Sequence, residues 1–474
     1  MPARKVAVAR VPGGLAQGLA ALRDRLEIPG SFPVEVDRAA ERSAAAPHPV
    51  DHDRTDLELI TIDPQGSRDL DQAVHIARDR GGFVISYAIA DVAAFVTAGD
   101  PIDVEARHRG LTLYAPDRRT PLHPPALSEG AASLLPGENR PAVLWTLRVD
   151  RAGELVGTDV RRAVVRSRER LSYEQAQVEI DGPDPRPTLA LLSQIGPLRE
   201  ARERDRGGVS LNLPEQEIRT DNGDWELVFR SPQPVEGWNA QISLLTGMAA
   251  AGLMIAAKTG IVRTLPPAEA SSVNRLRQVA RALRISWPAE VGYPEFVRSL
   301  DAHRPADAAM VNSCTSLFRG AGYRSFRGAV PDHVEHAALA TAYAHVTAPL
   351  RRRVDRYAGE ICVAVCAGRP VPAWALAALE TLPAEMLAAE QKAKKYERAV
   401  VDLLEGSMMA ERAGEVFVGT VVDVDSDGRR GTVVLKDPAI EARVVGDRLP
   451  LGQDVSVRVG SVDPDKGAVT FDLA

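Results

Sequence analysis

Residues 57–75 have the sequence Leu-Glu-Leu-Ile-Thr-Ile-Asp-Pro-Gln-Gly-Ser-Arg-Asp-Leu-Asp-Gln-Ala-Val-His. This stretch is the starting point for predicting the fold and the chemistry of the chain. The apolar residues at the start of this stretch predict a β-strand that ends at Asp63. Pro64 and Gly66 follow, and they predict a sharp turn because proline has no amide proton for a strand ladder and glycine accepts unusual backbone dihedrals. The sequence therefore predicts a strand that delivers an acidic side chain to a turn.

Three aspartates lie close together in this stretch. Asp69 and Asp71 are separated by one residue, so on extended backbone their carboxylates lie on the same face. Together with Asp63 they would bring three negative charges into a small volume, where they repel one another unless a divalent cation neutralises them. Carboxylate oxygens are the ligands that Mg²⁺ prefers, usually together with substrate phosphate. The pattern predicts a magnesium site for phosphoryl chemistry, and a solvent-exposed acidic turn is the alternative.

Composition bounds the class of protein. The chain has 474 residues, 45% of them hydrophobic, and this length predicts two or three domains. It contains no run of about 18 uncharged apolar residues, and its N-terminus lacks the apolar core of a signal peptide, so we expect a cytoplasmic protein without a membrane segment. Cys314, Cys362 and Cys366 fit neither a disulfide framework nor paired zinc spacing. Because the net charge is −6, nucleic-acid binding would depend on local basic clusters such as residues 161–170 and 351–356.

The chain divides into three parts. Residues 1–50 contain one predicted helix, at residues 13–26, and then a Pro/Ala-rich stretch, so they predict a small helical domain or docking arm, with a helix-turn-helix as one form of it. Residues 51–410 predict one large α+β domain that is rich in strands at first and helical after about residue 190. Residues 411–474 alternate valine with polar residues over five short segments, which is typical of an OB-type β-barrel.

Individual elements follow from the same patterns. Two hairpins are predicted, one pairing residues 73–77 with 83–91 and one pairing 142–149 with 157–165. Helices are predicted at residues 188–206, 238–258, 272–283, 305–318, 336–343, 352–366 and 372–410. Strands of the C-terminal part are predicted at residues 416–424, 431–435, 442–445, 455–462 and 468–473.

The aspartate stretch resembles the first motif of the ribonuclease II / ribonuclease R (RNB) exoribonucleases, Ile-Asp-Pro-Xaa-Xaa-Ser-Xaa-Asp-Leu-Asp followed by an Ala-Val strand. Members of this family usually have a fourth aspartate directly after the third, where this chain has Gln72. A neutral amide oxygen can still coordinate a metal or hold its water, but it adds no charge. The resemblance implies an α+β fold, with a large RNB-type catalytic domain (a mixed sheet with packed helices), a C-terminal S1-like OB-fold β-barrel and a small N-terminal helical segment. Residues 1–50 are too few for the two cold-shock domains that many members carry.

The resemblance continues through residues 90–114 and 133–141 in the order and spacing of the family. It places Tyr114 beside the scissile nucleotide, where a phenol would clamp the terminal base, and a half-buried core tyrosine is the alternative. It also assigns Tyr173 to RNA contact. Glu236 is assigned to a ribose hydroxyl, which would distinguish RNA from DNA. Capping of a helix start is the alternative for Glu236.

Residues 343–353 resemble the Thr-Ser-Pro-Ile-Arg block of the family. This block places Arg351 in the first turn of a helix, facing the scissile phosphate, where negative charge builds up in the transition state. His345 in the same block is assigned to RNA contact, with packing as the alternative. Glu397 matches a late family glutamate that supports the catalytic centre, and membership of a salt-bridge ladder along its helix is the alternative.

The resemblance implies a processive 3′→5′ exoribonuclease that hydrolyses single-stranded RNA to nucleoside 5′-monophosphates with one or two Mg²⁺ ions, Mn²⁺ being the alternative metal. The implied metal ligands are Asp63, Asp69, Asp71 and Gln72. The implied catalytic group consists of these aspartates with Arg351, Tyr114 and Glu397. We expect a monomer that acts on RNA 3′ ends and not on DNA.

Two features support a different interpretation. Gln72 replaces the fourth aspartate, so a catalytically weak or silent RNB-fold RNA-binding protein is the alternative function. The C-terminal barrel offers only Phe417 and Phe471 for stacking on bases. Strong base binding and a structural role therefore stand as equal alternatives for that barrel.

Overall fold

The computed structural model of the chain describes residues 13–209, 215–221, 224–230, 232–301, 304–435, 437–463 and 467–474. These residues form two closed β-barrels of five strands each, together with helices that pack on both barrels. The predicted α+β class with a C-terminal barrel is confirmed.

The described residues of the first part of the chain contribute three α-helices and seven strands. The helices are α1 (Gly13–Arg25), α2 (Val34–Ala45) and α3 (Pro101–Arg109). The strands are β1 (Asp53–Ile62), β2 (Gln72–Asp79), β3 (Gly82–Ala90), β4 (Leu113–Tyr114), β5 (Arg119–Thr120), β6 (Asn139–Asp150) and β7 (Leu155–Leu171).

Strands β1, β2, β3, β6 and β7 close the first barrel in that order. Both predicted hairpins are confirmed, since Ala73 lies opposite Ala88 and Trp145 lies opposite Val160. The barrel is closed by β1, which runs parallel to β7. Local sequence did not predict this closure, because a parallel pair joins segments that are far apart in the chain.

Alternate residues of these strands face two different hydrophobic clusters, as the period of two in a strand requires. Tyr87 and Trp145 are buried in a cluster that they share with the helices of the later part of the chain. Ala88 and Leu144 belong to a second cluster, which also contains residues of α2. The barrel is therefore packed on both faces of its sheet, which fixes its rim in position.

The middle of the chain is mainly helical. Its helices are α4 (Tyr173–Asp181), α5 (Pro187–Asp205), α6 (Pro234–Ala256), α7 (Ala270–Ala282), α8 (Tyr293–Arg298), α9 (Pro305–Cys314), α10 (Arg353–Cys366), α11 (Ala373–Ala378) and α12 (Leu382–Ala410). In the part of this region that the structure describes, the strands form three antiparallel pairs: β8 (Glu215–Asp221) with β9 (Asp224–Arg230), β10 (Thr259–Thr264) with β11 (Gly322–Arg327), and β12 (Glu335–His336) with β13 (Thr341–Ala342).

Two of the helix predictions were wrong in this region. Residues 336–343 are alanine-rich and were predicted to be helical, but they form part of the β12–β13 pair. Backbone pairing of Leu265 with His336 and of Arg263 with Tyr343 holds them extended, so tertiary pairing overrides local helix propensity. The predicted helix 372–410 is divided into α11 and α12, because a proline in the first turn of α12 starts a new helix.

Helix α6 is long and apolar enough to cross a membrane by length and composition alone. Half of the 18-residue apolar segment of this helix is buried inside the protein. Ile242, Leu245 and Met254 belong to the cluster around the first barrel. These contacts are those of a core helix.

The C-terminal part forms the second barrel, and its predicted strands are confirmed to within a residue. They are β14 (Val416–Val424), β15 (Arg430–Leu435), β16 (Glu441–Val445), β17 (Asp454–Asp463) and β18 (Ala468–Leu473). The expectation that Phe417 and Phe471 are available for stacking on bases was wrong. Both rings are buried in the barrel, 6.2 Å apart and edge to face, because they fill its core.

The described residues of the N-terminal segment form two helices, of which only the first was predicted. Helix α1 packs against α12, and its Leu19 is buried in the cluster of the second barrel. Helix α2 packs against α3, and its Ala40 is buried in a cluster of the first barrel. The two helices therefore contribute to two different cores and connect the segment to both barrels.

Candidate active site

The aspartate stretch lies where β1 leaves the first barrel. The backbone N–H of Asp63 donates to the carbonyl of Leu171 at 3.1 Å, which fixes the end of the strand. The turn predicted at Pro64 and Gly66 is present, since Ser67 N donates to Pro64 O at 3.1 Å and Gly66 has a φ of 81°. A positive φ of this size favours glycine, which explains that residue in the motif.

A buried serine holds the second half of the stretch. Ser133 Oγ accepts from Leu70 N at 3.0 Å and donates to Arg68 O at 2.6 Å. Leu134 N also donates to Leu70 O at 3.0 Å. Ser133 lies in the block 133–141 that resembles the family, and its function here is to fix the backbone that carries Asp69 and Asp71.

Asp71 connects this stretch to the arginine block. Its carboxylate is 3% exposed, accepting from Leu350 N at 2.8 Å and from Arg351 Nε at 3.1 Å. Burial raises the pKa of Asp71 to about 7, and the negative charge of Asp69 acts in the same direction. The charge of Arg351 and the Leu350 amide oppose this rise. The nearby positive charge is therefore too small to cancel the effect of burial on the pKa of Asp71.

Arg351 lies in a turn before α10 and not in the helix itself, which corrects the predicted position. Ala348 N donates to Asp355 Oδ1 at 2.7 Å, and Thr112 N donates to Arg351 O at 3.0 Å, so the turn is held from both sides. Burial acts to lower the pKa of Arg351, but the charge of Asp71 raises it above the ordinary value. The guanidinium therefore stays charged while about a third of its side chain remains exposed.

Asp69 and Tyr114 lie beside this pair. Arg119 forms ion pairs with both Asp69 and Glu129. Arg119 is opposite Tyr114 in the β4–β5 pair, so one hairpin carries both residues. Burial raises the pKa of the Tyr114 phenol, with Arg351 opposing and Asp69 adding to the rise. Tyr114 therefore lies within electrostatic reach of the residues that the sequence grouped with it.

Gln72 is bound on both ends of its amide. Its Nε2 donates to Thr347 O at 2.5 Å, and its Oε1 accepts from the Tyr87 hydroxyl at 2.9 Å. Ser243 Oγ of α6 lies 2.7 Å from the same hydroxyl. Tyr87 and Ser243 were not singled out from the sequence, where an apolar strand and an apolar helix conceal them. The role of Gln72 as a metal ligand stays a prediction.

The acidic side chains are of the type that binds divalent metal ions. Carboxylate oxygens suit Mg²⁺, and the raised pKa of Asp71 beside Asp69 marks a place where an added cation would be favourable. Within the described residues, however, no group of three or more His, Cys, Asp or Glu side chains is arranged to hold a metal ion. Asp69 and Asp71 are paired with arginines instead.

Two residues assigned to RNA have protein partners. Glu236 accepts from Gln233 N at 2.7 Å and from Arg230 Nη2 at 3.0 Å, in a capping box at the start of α6. This is the capping role given as its alternative. His345 Nδ1 lies 2.9 Å from the Tyr323 hydroxyl, and burial together with nearby arginines lowers the pKa of this histidine well below its ordinary value. Contact of either residue with RNA stays a prediction.

The remaining assigned residues lie on helices around the centre. Tyr173 is the first residue of α4. Burial raises the pKa of the Tyr87 hydroxyl, and the negative charge of Asp63 adds to the rise. Glu397 is half-buried on α12, a helix that packs against the strand carrying Tyr114. The structure therefore brings Asp69, Asp71, Arg351 and Tyr114 together, with Asp63 and Tyr173 within electrostatic reach of their neighbours.

Comparisons with known proteins give the following matches. A family model of the RNB domain matches residues 52–366, and a model of the C-terminal S1 domain of RNase II-type exonucleases matches residues 415–474. Ribonuclease R of Aquifex aeolicus is 28% identical over 95% of this chain and 69% of its own length. Ribonuclease R of Escherichia coli is 28% identical over 89% of this chain and 57% of its own length. The chain thus spans between 57% and 69% of the length of these two relatives.

A solved structure has the same fold. It is Mycoplasma genitalium RNase R in complex with ribose methylated single-stranded RNA, with a TM-score of 0.85 over 98% of this chain and 78% of that chain. The sequence identity is 20%, so this likeness concerns the fold alone.

Proposed function

The chain belongs to the RNB family of exoribonucleases, and we propose that it is a processive 3′→5′ exoribonuclease that hydrolyses single-stranded RNA to nucleoside 5′-monophosphates. The ribonuclease R relatives support the class of activity. Processivity, the products and the choice of metal are the parts that we propose. We also propose that the protein acts as a cytoplasmic monomer on RNA 3′ ends and does not cleave DNA.

The contact between Asp71 and Arg351 carries this proposal. The two residues are 280 positions apart in the chain, yet Arg351 Nε lies 3.1 Å from Asp71 Oδ2. The buried carboxylate of Asp71 is a group that binds metal ions, and the partly exposed guanidinium of Arg351 is a group that binds phosphate. The two groups lie side by side. Arginine presents a planar fork of donors that matches phosphate oxygens. A scaffold that only binds RNA has no need for this pair next to Asp69 and Tyr114.

We propose that Asp63, Asp69 and Asp71 hold one or two Mg²⁺ ions, with Gln72 assisting. The RNB family depends on divalent metal, which when bound lowers the pKa of a water molecule and offsets charge on the phosphate. Arg351 would donate to the phosphate oxygens, where negative charge increases in the transition state.

Other residues would position the RNA. Tyr114 would pack against the last nucleotide and keep its phosphate beside Arg351. Tyr173 and His345 would contact the strand, and Glu236 would accept from a ribose hydroxyl in exchange for one of its present partners. Glu397 would support the centre from α12.

The test is hydrolysis of 5′-end-labelled single-stranded RNA in the presence of Mg²⁺ or of EDTA. With metal only, we expect the labelled RNA to be shortened from its 3′ end to a short end product without accumulation of intermediate lengths. Asp71→Asn keeps the shape of the side chain and should nearly abolish turnover while RNA binding stays measurable. Asp56→Asn, on the exposed start of β1, is the matched control and should leave turnover unchanged. Wild-type turnover in Asp71→Asn would show that the site is assigned incorrectly.

A catalytically silent RNA-binding protein is the second candidate, and two observations favour it. Gln72 already uses both ends of its amide within the protein, and Asp69 is paired with Arg119. For this candidate, labelled RNA should be bound but remain at full length with Mg²⁺ or Mn²⁺. Shortening that stops on addition of EDTA would exclude it.

A further inference from the structure

A cavity of about 450 Å³ lies between helices α5 and α6 and the turn that joins β6 to β7. Three arginines of α5 and its C-terminal cap line it, namely Arg199, Arg202 and Arg206. Their spacing of three and four residues places them on one face of the helix. Leu245 and Met248 of α6 form an apolar part of the wall.

The protein does not use all the donors of these arginines. Arg199 is 3% exposed, and it donates to Gly153 O and, at 3.8 Å, to Met248 Sδ. Arg206 Nε donates to Leu339 O at 2.7 Å. In the described part of the chain, Arg199 Nε, Arg202 Nε and Arg206 Nη2 are buried without an acceptor. Buried donors without an acceptor are rare in folded proteins and call for an explanation.

Positive charge exceeds negative charge in the wall of this cavity. It contains three guanidinium groups and two carboxylates, Glu154 and Asp205. Both carboxylates pair with Arg202, since Asp205 lies 2.5 Å and Glu154 lies 3.7 Å from its nitrogens. Among the described residues, the hydrogen-bond partners of Arg199 and Arg206 are two backbone carbonyls and one sulfur. Burial lowers the pKa of both arginines, and the negative charges of Glu154 in the wall and Glu203 behind it oppose this change. Glu203 also accepts from a buried glutamine amide.

The arginines also act on one another. Burial lowers the pKa of Arg199, and the positive charge of Arg206 lowers it further. Burial likewise lowers the pKa of Arg206. Arg199 and Arg206 line the same cavity, so an anion bound there would offset both their burial and the repulsion between their guanidinium groups.

We propose that this cavity binds a small phosphate monoester. The phosphate group would accept from Arg199 and Arg206, whose planar forks match its oxygens. The organic part would lie on Leu245 and Met248. The volume of about 450 Å³ is in the range of sites that hold small organic ligands and exceeds what a lone phosphate ion fills.

This cavity is separate from the aspartate centre. Ser243 of α6 faces Gln72 and Tyr87, whereas Leu245 and Met248 lie two and five residues further along the same helix. At about 100° per residue, these positions face roughly the opposite side of α6. The inference therefore stands whether or not the proposed exoribonuclease activity is correct.

Isothermal titration calorimetry on the full chain tests the proposal, with adenosine 5′-monophosphate, inorganic phosphate and adenosine as probes. We expect the monophosphate to bind with a dissociation constant below about 1 mM, phosphate to bind more weakly, and adenosine to give no signal. Arg206→Gln should weaken binding of the monophosphate about tenfold or more, because one charged donor group is lost. Arg204→Gln, an exposed arginine of the same helix, is the matched control.

Two further variants keep the test decisive. Asp205→Asn removes an exposed wall carboxylate without burying a new group, so it should fold normally and bind the monophosphate about threefold more tightly. Arg351→Gln should bind as wild type, because it removes only the anion contact of the aspartate centre. No binding up to about 10 mM, equal binding of adenosine, or unchanged affinity in both Arg206→Gln and Asp205→Asn would overturn the proposal.

Discussion

Replacing Arg162 with methionine would test how far the first barrel depends on one buried ion-pair network. Arg162 of β7 donates from Nε to Asp91 Oδ2 at 2.6 Å and from Nη2 to Glu360 Oε2 at 2.5 Å. The carboxylates are only 2% and 9% exposed. Burial acts to lower the pKa of Arg162, but the charges of Asp91 and Glu360 raise it above its ordinary value. Methionine keeps the apolar stem, so the change removes the charge that balances two buried carboxylates.

The expected loss follows from leaving two buried carboxylates without their cation. Removing one partner of a buried ion pair costs about 3–5 kcal/mol of unfolding free energy. We therefore expect Arg162→Met to lower the free energy of unfolding by about 4 kcal/mol at pH 7.

Urea unfolding followed by tryptophan fluorescence measures this difference, since Trp145 is buried in the same barrel opposite Val160. Arg161→Met is the matched control, because its pair with Asp159 is exposed, and it should change the free energy by less than about 0.5 kcal/mol. A loss below about 1 kcal/mol for the Arg162 variant would refute the argument from burial.

Three further outcomes are expected. Arg351→Gln should lower the single-turnover rate about 10²–10³-fold while RNA affinity in a filter-binding assay changes much less, since the donor acts mainly on charge formed in the transition state. Ser133→Ala should lower the free energy of unfolding by about 1–3 kcal/mol in urea and reduce turnover, because Leu70 N loses its buried acceptor. Burial, aided by nearby positive charge, lowers the pKa of His123 to about 3. Below about pH 6.5 the unfolded chain binds a proton that native His123 does not. The free energy of unfolding should therefore fall by about 1.4 kcal/mol for each unit by which the pH is lowered. His123→Gln should reduce this slope in urea titrations.

Sequence patterns predicted what depends on neighbours in the chain. Alternation of apolar residues gave both hairpins of the first barrel and the five strands of the second, because strand periodicity is local. The turn at Gly66 followed from residue type alone. The order of the motifs placed Asp71 and Arg351 in one site, although no local rule connects residues 280 positions apart.

What the sequence did not predict depends on partners that are distant in the chain. Asp91 belongs to a block that resembles the family, but its buried ion pair with Arg162 makes it part of the barrel framework. Phe471 was expected to be available for stacking on bases, with a structural role for the barrel as an equal alternative, and it fills the barrel core because a short barrel has few large side chains to close it. Residues 336–343 were predicted to be helical on composition, and pairing with β10 decided otherwise.

The acidic centre shows why these distant contacts also matter for chemistry. Asp71 is balanced by Arg351 and Asp69 by Arg119, so each carboxylate already has a cation supplied by another segment of the chain. Without those arginines the carboxylates would repel one another and resist burial. A divalent ion would have to share these carboxylates with the arginines or displace the arginines. Stronger ion pairs would therefore raise the metal concentration at which the ion binds. The residues that assemble the centre in the folded chain are therefore also the ones that would tune its affinity for metal.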